Sequence, residues 1–337
     1  MIGVCSGRPV SITGLGCYVP ERVLTNDELA KTVETSDEWI QTRTGIKERR
    51  IAAPDEATSD LSYLAAVAAL ADAGVEGSEI DLVIVATITA DMLFPSTAAI
   101  LAGRLGAGSA AAYDLSAGCT GFVYALTQGF GAIAAGLARR VLVVGADTLS
   151  RVVDWDDRAT CVLFGDGAGA VVLEEVAQGG FHAFELGADG AGGMELFMPA
   201  GGSRRPASAE TVAAGEHYVK MNGREVYKFA TRVLPSSAHA VLEVMGRSIE
   251  DIDLYVPHQA NLRIIEHAAK KLGVEKERVF VNVDRYGNTS SASIPLALCE
   301  ARDEGRLVDG TLVLMTGMGA GLTWGSSVIT WTEGRNK

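Results

Sequence analysis

Residues 80–85 read Ile-Asp-Leu-Val-Ile-Val, and residues 252–257 read Ile-Asp-Leu-Tyr-Val-Pro. Both are short apolar runs that open on an Ile-Asp pair, and the first is rich in β-branched residues, as strands buried on two faces are. Outward from them, the neighbouring segments match as well. A helix that stops at Leu105-Gly106 has a counterpart that stops at Leu272-Gly273. The strand-like run 112-AYDLSAG has 282-NVDRYGN, and 141-VLVVGAD has 312-LVLMTGM. The four pairs keep one order and one offset of about 170 residues, the signature of an internal repeat. Earlier in the chain, 60-DLSYLAAVAALADAG carries apolar residues at helical spacing and stops at Gly74. Strands alternating with helices predict an α/β fold with parallel or mixed sheets. The repeat divides it into an N-terminal half, residues 1–175, and a C-terminal half, residues 176–337. The stretch 186-LGADGAGGMELFMPAGGSRRPASAETVAAGEH is rich in Gly, Ala and Ser. It reads as a surface loop after the second half's first strand.

Of 337 residues, 48% are hydrophobic and 21% charged, globular proportions with ample material for a core. A formal net charge of −13 argues against general attraction to nucleic acid or to an anionic membrane. An acidic partner therefore needs a local basic patch. No run approaches the roughly 18–20 apolar residues that span a bilayer. The N-terminal MIGVCSGRPVSITG lacks the basic region and apolar run of a secretory signal. The five cysteines, Cys5, Cys17, Cys119, Cys161 and Cys299, are odd in number, far apart and form no CxxC pair. That spacing suits neither a disulfide framework nor a zinc site, and fits a reducing, cytoplasmic setting.

The repeat puts Cys119 between a strand and a helix. The run 120-TGFVYALTQGFGAIAAG has Phe122, Leu126, Phe130 and Ile133 at helical spacing. A thiol at that helix's N-terminus is expected to ionise easily, because unpaired N–H groups and the helix dipole favour thiolate. Gly118 and Gly121 leave room for a substrate to approach the backbone. His258 is placed alike in the second half, after 252-IDLYVP and before the helical 260-ANLRIIEHAAKKLG. Asn288 follows the next expected strand, in 286-YGNTSSAS. Taken singly, each has a commoner structural reading: a small core thiol, a hydrogen-bonded histidine, a turn asparagine. Taken together, all three lie at carboxyl ends of strands, where open α/β sheets bind ligands. Duplication brings the two sets of strand ends to one crevice.

At these residues the chain resembles the β-ketoacyl-acyl-carrier-protein synthase III family of the thiolase superfamily. The resemblance rests on 35-TSDEWIQTRTGIKER, 94-FPST, 114-DLSAGCTGF, 164-FGDGAGA, 257-PHQANLRI, 287-GNTSSASIP and 319-GAGLTWGS, and runs through nearly the whole chain. It implies a thiolase-like, duplicated five-layer αβαβα fold and a homodimer. It implies Cys119 as the acyl-carrying nucleophile with His258 and Asn288 beside it, and an oxyanion hole from the Cys119 and Ala320 N–H groups. Coenzyme A contacts fall on Trp39, Arg43, Arg158 and Asn261. Phe94 and Met318 fall on acyl-pocket positions, Phe94 reaching the pocket of the partner subunit. Acyl carrier protein docking falls on Gln259, Ala260, Asn261, Leu262 and Arg263, with Lys270 and Lys271 along the same helix. Arg224, Lys228 and Arg232 add a second basic stripe at i, i+4, i+8. The implied reaction starts type II fatty acid synthesis. A short acyl-coenzyme A acylates Cys119, malonyl-acyl carrier protein loses carbon dioxide, and the enolate, held by His258 and Asn288, attacks the acyl group. Acyl-coenzyme A is then a substrate, and no metal or redox cofactor is expected.

Two positions depart from the family pattern: Met318 stands where an aromatic residue is usual, and Ala320 where glycine is usual. If position 320 needs a positive φ, alanine there costs on the order of 1 kcal/mol. A flexible Met318 softens the pocket and leaves branched or longer starters open. A papain-like cysteine hydrolase shares the chain order Cys, His, Asn. The glycines of 165-GDGAGA and 317-GMGAG suggest a dinucleotide site, yet they lead into strand-like runs, whereas that fingerprint opens a helix. A non-catalytic polyketide partner subunit would lack Cys119. The nearer alternative is a synthase III-like acyltransferase of secondary metabolism that starts polyketides or quinolones.

Overall fold

Described over residues 1–332, the chain is a computed structural model in which the two copies of the repeat fold alike. The first half runs β1 (Ile2–Val4), β2 (Val10–Tyr18), α1 (Thr58–Ala73), β3 (Leu82–Ala86), α2 (Thr97–Arg104), β4 (Ala111–Leu115), α3 (Gly121–Ala134), β5 (Arg140–Asp147) and β6 (Gly167–Glu175). The second runs β7 (Gly180–Ala188), α4 (Gly223–Val244), β8 (Leu254–Pro257), α5 (Leu262–Leu272), α6 (Ser293–Asp303), β9 (Leu312–Gly319) and β10 (Thr323–Thr330). One sheet has the order β2-β6-β5-β3-β4, the other β1-β7-β10-β9-β8. Strands β2-β6-β5-β3 of the first and β7-β10-β9-β8 of the second match, two antiparallel pairings followed by a parallel one, β5 with β3 and β9 with β8.

Strand β3 shows why its run is apolar throughout. Leu82, Ile84 and Ala86 point into a cluster between the sheets, while Val83 and Val85 point into the cluster under α1 and α2. Period-2 alternation with both faces covered leaves no polar side. Between the sheets lie α3 and α6, whose Phe122, Leu126, Ile294 and Leu298 share one core with Val143 of the first sheet and Val313 of the second. Helices α1 and α2 cover the outer face of the first sheet, and α4 and α5 that of the second. The result is the five-layered αβαβα thiolase-like arrangement. Helix α1 lies unusually close to β2, because a Cβ on Gly14 or Gly16 would stand 2.3 Å from the Ala69 backbone.

Three expectations need correction. The run 282–288 is not a strand: a lone parallel bridge, Tyr255 to Val279, stands where β4 has its counterpart, and Val283–Tyr286 forms one helical turn. Side-chain partners replace the ladder there, the Asn282 N–H donating to Gln259 Oε1 and its Nδ2 to Glu300 Oε2. Strand β1 crosses to the second half's sheet, paired with β7. The Gly-rich stretch is more than surface loop: its Leu196–Phe197 pairs with Lys220–Met221 and lines the interior described below. No helix among the described residues is long and apolar enough to cross a membrane.

Candidate active site

After β4 the chain makes a single 3₁₀ turn, Gly118–Thr120, and α3 begins at Gly121. Gly118 has φ +56° and faces the 319–320 segment. A Cβ on Gly118 would lie 2.6 Å from the Ala320 nitrogen, and one on Gly319 2.4 Å from the Cys119 nitrogen. The two backbones touch, so glycine is required on both sides. Thr323 Oγ1 sits between them, 2.8 Å from the Ala117 oxygen, 3.0 Å from the Ala320 oxygen and 3.1 Å from Thr120 Oγ1. Neither the Cys119 nor the Ala320 N–H donates to a carbonyl among the described residues, so both can meet a substrate oxygen. Ala320 does not have a positive φ, and the backbone cost raised for it does not arise.

His258 follows β8, its N–H donating to the Thr316 oxygen at 2.7 Å. Its Nδ1 lies 2.6 Å from Ser293 Oγ, at the first residue of α6. Ser293 Oγ also accepts the Gln259 N–H at 3.3 Å, and its own proton has Nδ1 as its one partner among the described residues. The tautomer assigned from that network carries its proton on Nε2. Nε2 is buried with no protein partner. Asn288 is clamped through its backbone: its N–H donates to the Leu163 oxygen at 2.8 Å, and its oxygen accepts the Gly165 N–H at 3.0 Å. Its Oδ1 accepts the Ser290 N–H at 2.9 Å, so the carboxamide's donor end is free. Cys119, His258 and Asn288 line one cavity of about 160 Å³.

The ionisation expected of Cys119 is reversed. Burial pushes its thiol up to about 12, the nearby Asp147 carboxylate adding to the effect, and pushes the His258 imidazole down to about 3. A helix terminus is worth about 0.3–1 kcal/mol to a charge, whereas taking an ion out of water costs several kcal/mol. At rest the site holds a neutral thiol and a neutral imidazole.

Cys119 also lines a second, largely apolar cavity of about 170 Å³ with Ile88, Leu149, Val152, Phe164, Leu196 and Phe197, and Ser290 and Ala320 line it too. Met318 is not part of it. That side chain packs with Val226, Phe229 and Ala230 of α4 and borders the cavity of the three polar groups. Phe94 is 84% exposed and lines neither cavity of its own chain. The polar cavity is also lined by Gly223 and Tyr227 of α4, by Ile264 of α5 and by Asn261 just before it. Asn261 caps α5, its Oδ1 accepting the Arg263 N–H at 2.9 Å, and its Nδ2 donates to the Arg43 oxygen at 3.1 Å. Arg43 and Arg158 lie 5.1 and 4.9 Å from the Trp39 ring centre, a ready platform for a flat heterocycle. Arg224, Lys228, Arg232, Arg263, Lys270 and Lys271 are exposed on α4 and α5, and Ala260 and Leu262 are half-buried. Gln259 is not a docking residue: it is 1% exposed, and its carboxamide is used up on Pro257, Phe280 and Asn282. Sequence reasoning missed Ser293 and Ser290, although both stand in 287-GNTSSASIP. It also missed the apolar cavity, whose one local sign was the triplet Leu196-Phe197-Met198 in a polar, Gly-rich stretch.

A cysteine at a strand-to-helix turn, sharing a buried cavity with a histidine and an asparagine from the other half of a duplicated thiolase-like fold, places the chain among acyl-transferring enzymes of that fold. Residues 113–190 match the family model described as 3-oxoacyl-[acyl-carrier-protein] synthase III, and residues 242–331 match that of its C-terminal part. The chain is 58% identical over 325 residues to the β-ketoacyl-[acyl-carrier-protein] synthase III of Symbiobacterium thermophilum, covering 96% of this chain and 98% of that one. The crystal structure of the like-named Thermus thermophilus protein is 52% identical with a TM-score of 0.89, over 96% of this chain and 99% of that one. The priming β-ketosynthase of the R1128 polyketide pathway is 37% identical with a TM-score of 0.90, over 98% and 99%. The chain belongs to the 3-oxoacyl-[acyl-carrier-protein] synthase III family.

Proposed function

We propose that this chain performs the initiating condensation of type II fatty acid synthesis, joining a short acyl-coenzyme A to malonyl-acyl carrier protein. The observation that carries the reading is Cys119 at the junction of two cavities, one apolar and one holding His258 and Asn288. The Cys119 sulfur attacks the acyl thioester and coenzyme A leaves as the thiol, with the acyl chain in the apolar cavity. The malonyl thioester then enters between α4 and α5. As carbon dioxide departs, negative charge builds on the thioester oxygen, where the His258 Nε2–H and the Asn288 Nδ2–H can meet it. A neutral histidine suits this task, since it donates without needing to ionise. The enolate carbon attacks the acyl carbonyl, whose oxyanion lies against the Cys119 and Ala320 N–H groups. Collapse expels the Cys119 sulfur, which takes up one proton, and releases the 3-oxoacyl thioester.

The exposed basic residues stand on α4 and α5, the two helices that line the polar cavity, which supports docking of an acidic carrier protein on that side. Lys228 is partly neutralised by Glu225 at 2.6 Å. Ile88, Met92, Leu93 and Phe94 form an exposed apolar run beside the apolar cavity, and a second copy of the chain would bury it, closing a homodimer. All five cysteines are free thiols, in keeping with a cytoplasmic enzyme. The test is the intact protein's mass after exposure to a panel of acyl-coenzyme A thioesters. A covalent acyl adduct is expected, absent in Cys119→Ser, and the best thioester names the starter. A branched or long starter alone would favour a role in secondary metabolism; unchanged mass with every thioester would overturn the mechanism.

A further inference from the structure

Ser290 is the one non-glycine residue with positive φ among those described, at +51°. Left-handed backbone is uncommon for residues that carry a Cβ, and such outliers persist where the surroundings enforce them. Its side chain is 0% exposed, and its hydroxyl completes no hydrogen bond. Buried hydroxyls almost always find a partner, so an unpaired one calls for an explanation.

The surroundings supply one. Ser290 and Cys119 line the same cavity, and the serine side chain is the largest influence favouring the ionised form of that thiol against its burial. The turn cannot swing away. The Ser290 N–H is committed to Asn288 Oδ1 at 2.9 Å, and the Ser291 hydroxyl lies 2.7 Å from both Asp147 Oδ2 and the Ala86 oxygen. Asp147 is itself held through Oδ1 by the Thr87 and Thr89 hydroxyls and the Ile88 N–H, at 2.9–3.0 Å. A donor fixed beside a buried, neutral thiol gains strength only when charge appears on the sulfur. That is a differential interaction, stronger in the reacting state than at rest.

We propose that Ser290 is a further catalytic residue, its hydroxyl donating a hydrogen bond to the Cys119 sulfur while that sulfur carries negative charge. The proposal rests on the condensing function above and adds a group that reading does not use. Ser290 keeps its proton throughout. In acylation the Cys119 S–H and the substrate C–S bonds break, the Cys119 S–C bond forms, and the proton ends on the coenzyme A sulfur. In condensation the Cys119 S–C bond breaks, and the expelled thiolate meets the same donor before it is protonated.

The test compares wild type with Ser290→Ala, which removes the hydroxyl, and Ser290→Gly, which also relieves the positive φ and reads the effect if the alanine variant folds poorly. Two rates are followed against pH, corrected with Cys119→Ser: single-turnover acylation by acetyl-coenzyme A and alkylation of Cys119 by iodoacetamide. One lost charge-assisted hydrogen bond predicts that both rates fall about tenfold to a hundredfold near neutral pH. The alkylation profile should move to higher pH in both variants alike. Unchanged alkylation would overturn the proposal, whether or not acylation slows, and so would full activity in Ser290→Gly. Failure of the wild type itself to acylate would instead strike the proposed function.

Discussion

His258 offers a direct test of the electrostatics at the centre of the site. Burial holds its imidazole neutral, moved from 6.5 down to about 3. In the unfolded chain it titrates at its ordinary value. A group whose folded pKa lies below its unfolded one takes up a proton on unfolding, so stability falls as pH drops from about 6.5 towards about 3 and is unaffected above that window. One unit below 6.5, the unfolded state gains about 1.4 kcal/mol from this single protonation. In His258→Gln that term disappears, while the carboxamide can still bond to Ser293. Urea unfolding of both proteins at about pH 7.5 and about pH 5.5, at one protein concentration, should show wild type losing about 1.4 kcal/mol more than the variant. His182 also has a lowered pKa, through burial and the Arg247 charge, and the raised pKa of Asp166 adds its own pH dependence. Both groups remain in each protein and cancel in the difference. Equal pH slopes would refute the neutral His258, and with it a histidine that works as a hydrogen-bond donor and not as the charged partner of a thiolate.

Two further outcomes are expected. Ser293→Ala strips Nδ1 of its partner and should cost about 1–3 kcal/mol in urea unfolding; with the imidazole free to turn, condensation should slow while acylation of Cys119 persists. The proposed homodimer predicts that the wild type sediments as a dimer and that Phe94→Asp, which places a charge in the exposed apolar run, sediments as a monomer; a monomeric wild type would refute the dimer, and an unchanged dimer would place its interface elsewhere.

Part of the site could be read from the chain because its groups stand where local pattern is strong. Cys119 and His258 each follow an apolar strand and precede a helix, and Asn288 stands in a turn marked by Gly287 and a cluster of hydroxyls. Other parts lay beyond that kind of reading. Gln259, adjacent to His258, looked like surface and turned inward, because the chain beyond Phe280 leaves the sheet and takes its carboxamide as a partner. The strand expected over 282–288 failed for the same reason. Met318 could be placed near the site but not on a side of it, since the choice depends on α4 packing against β9.

The repeat and the alternation of strands and helices determined the duplicated fold and set Cys119 and His258 each between a strand and a helix, while the family resemblance named Asn288 as their neighbour. Side-chain period and helix stops are properties of a few neighbouring residues, and the repeat is a comparison of such local patterns along the chain. Whether the sulfur is charged, which serine shares its cavity and which apolar side chains surround it were decided only in the folded molecule. The residues that shut water away from Cys119 come from positions as far apart as Ile88, Phe164, Leu196 and Ala320. The cost of a charge there depends on all of them at once, and no single segment carries that information.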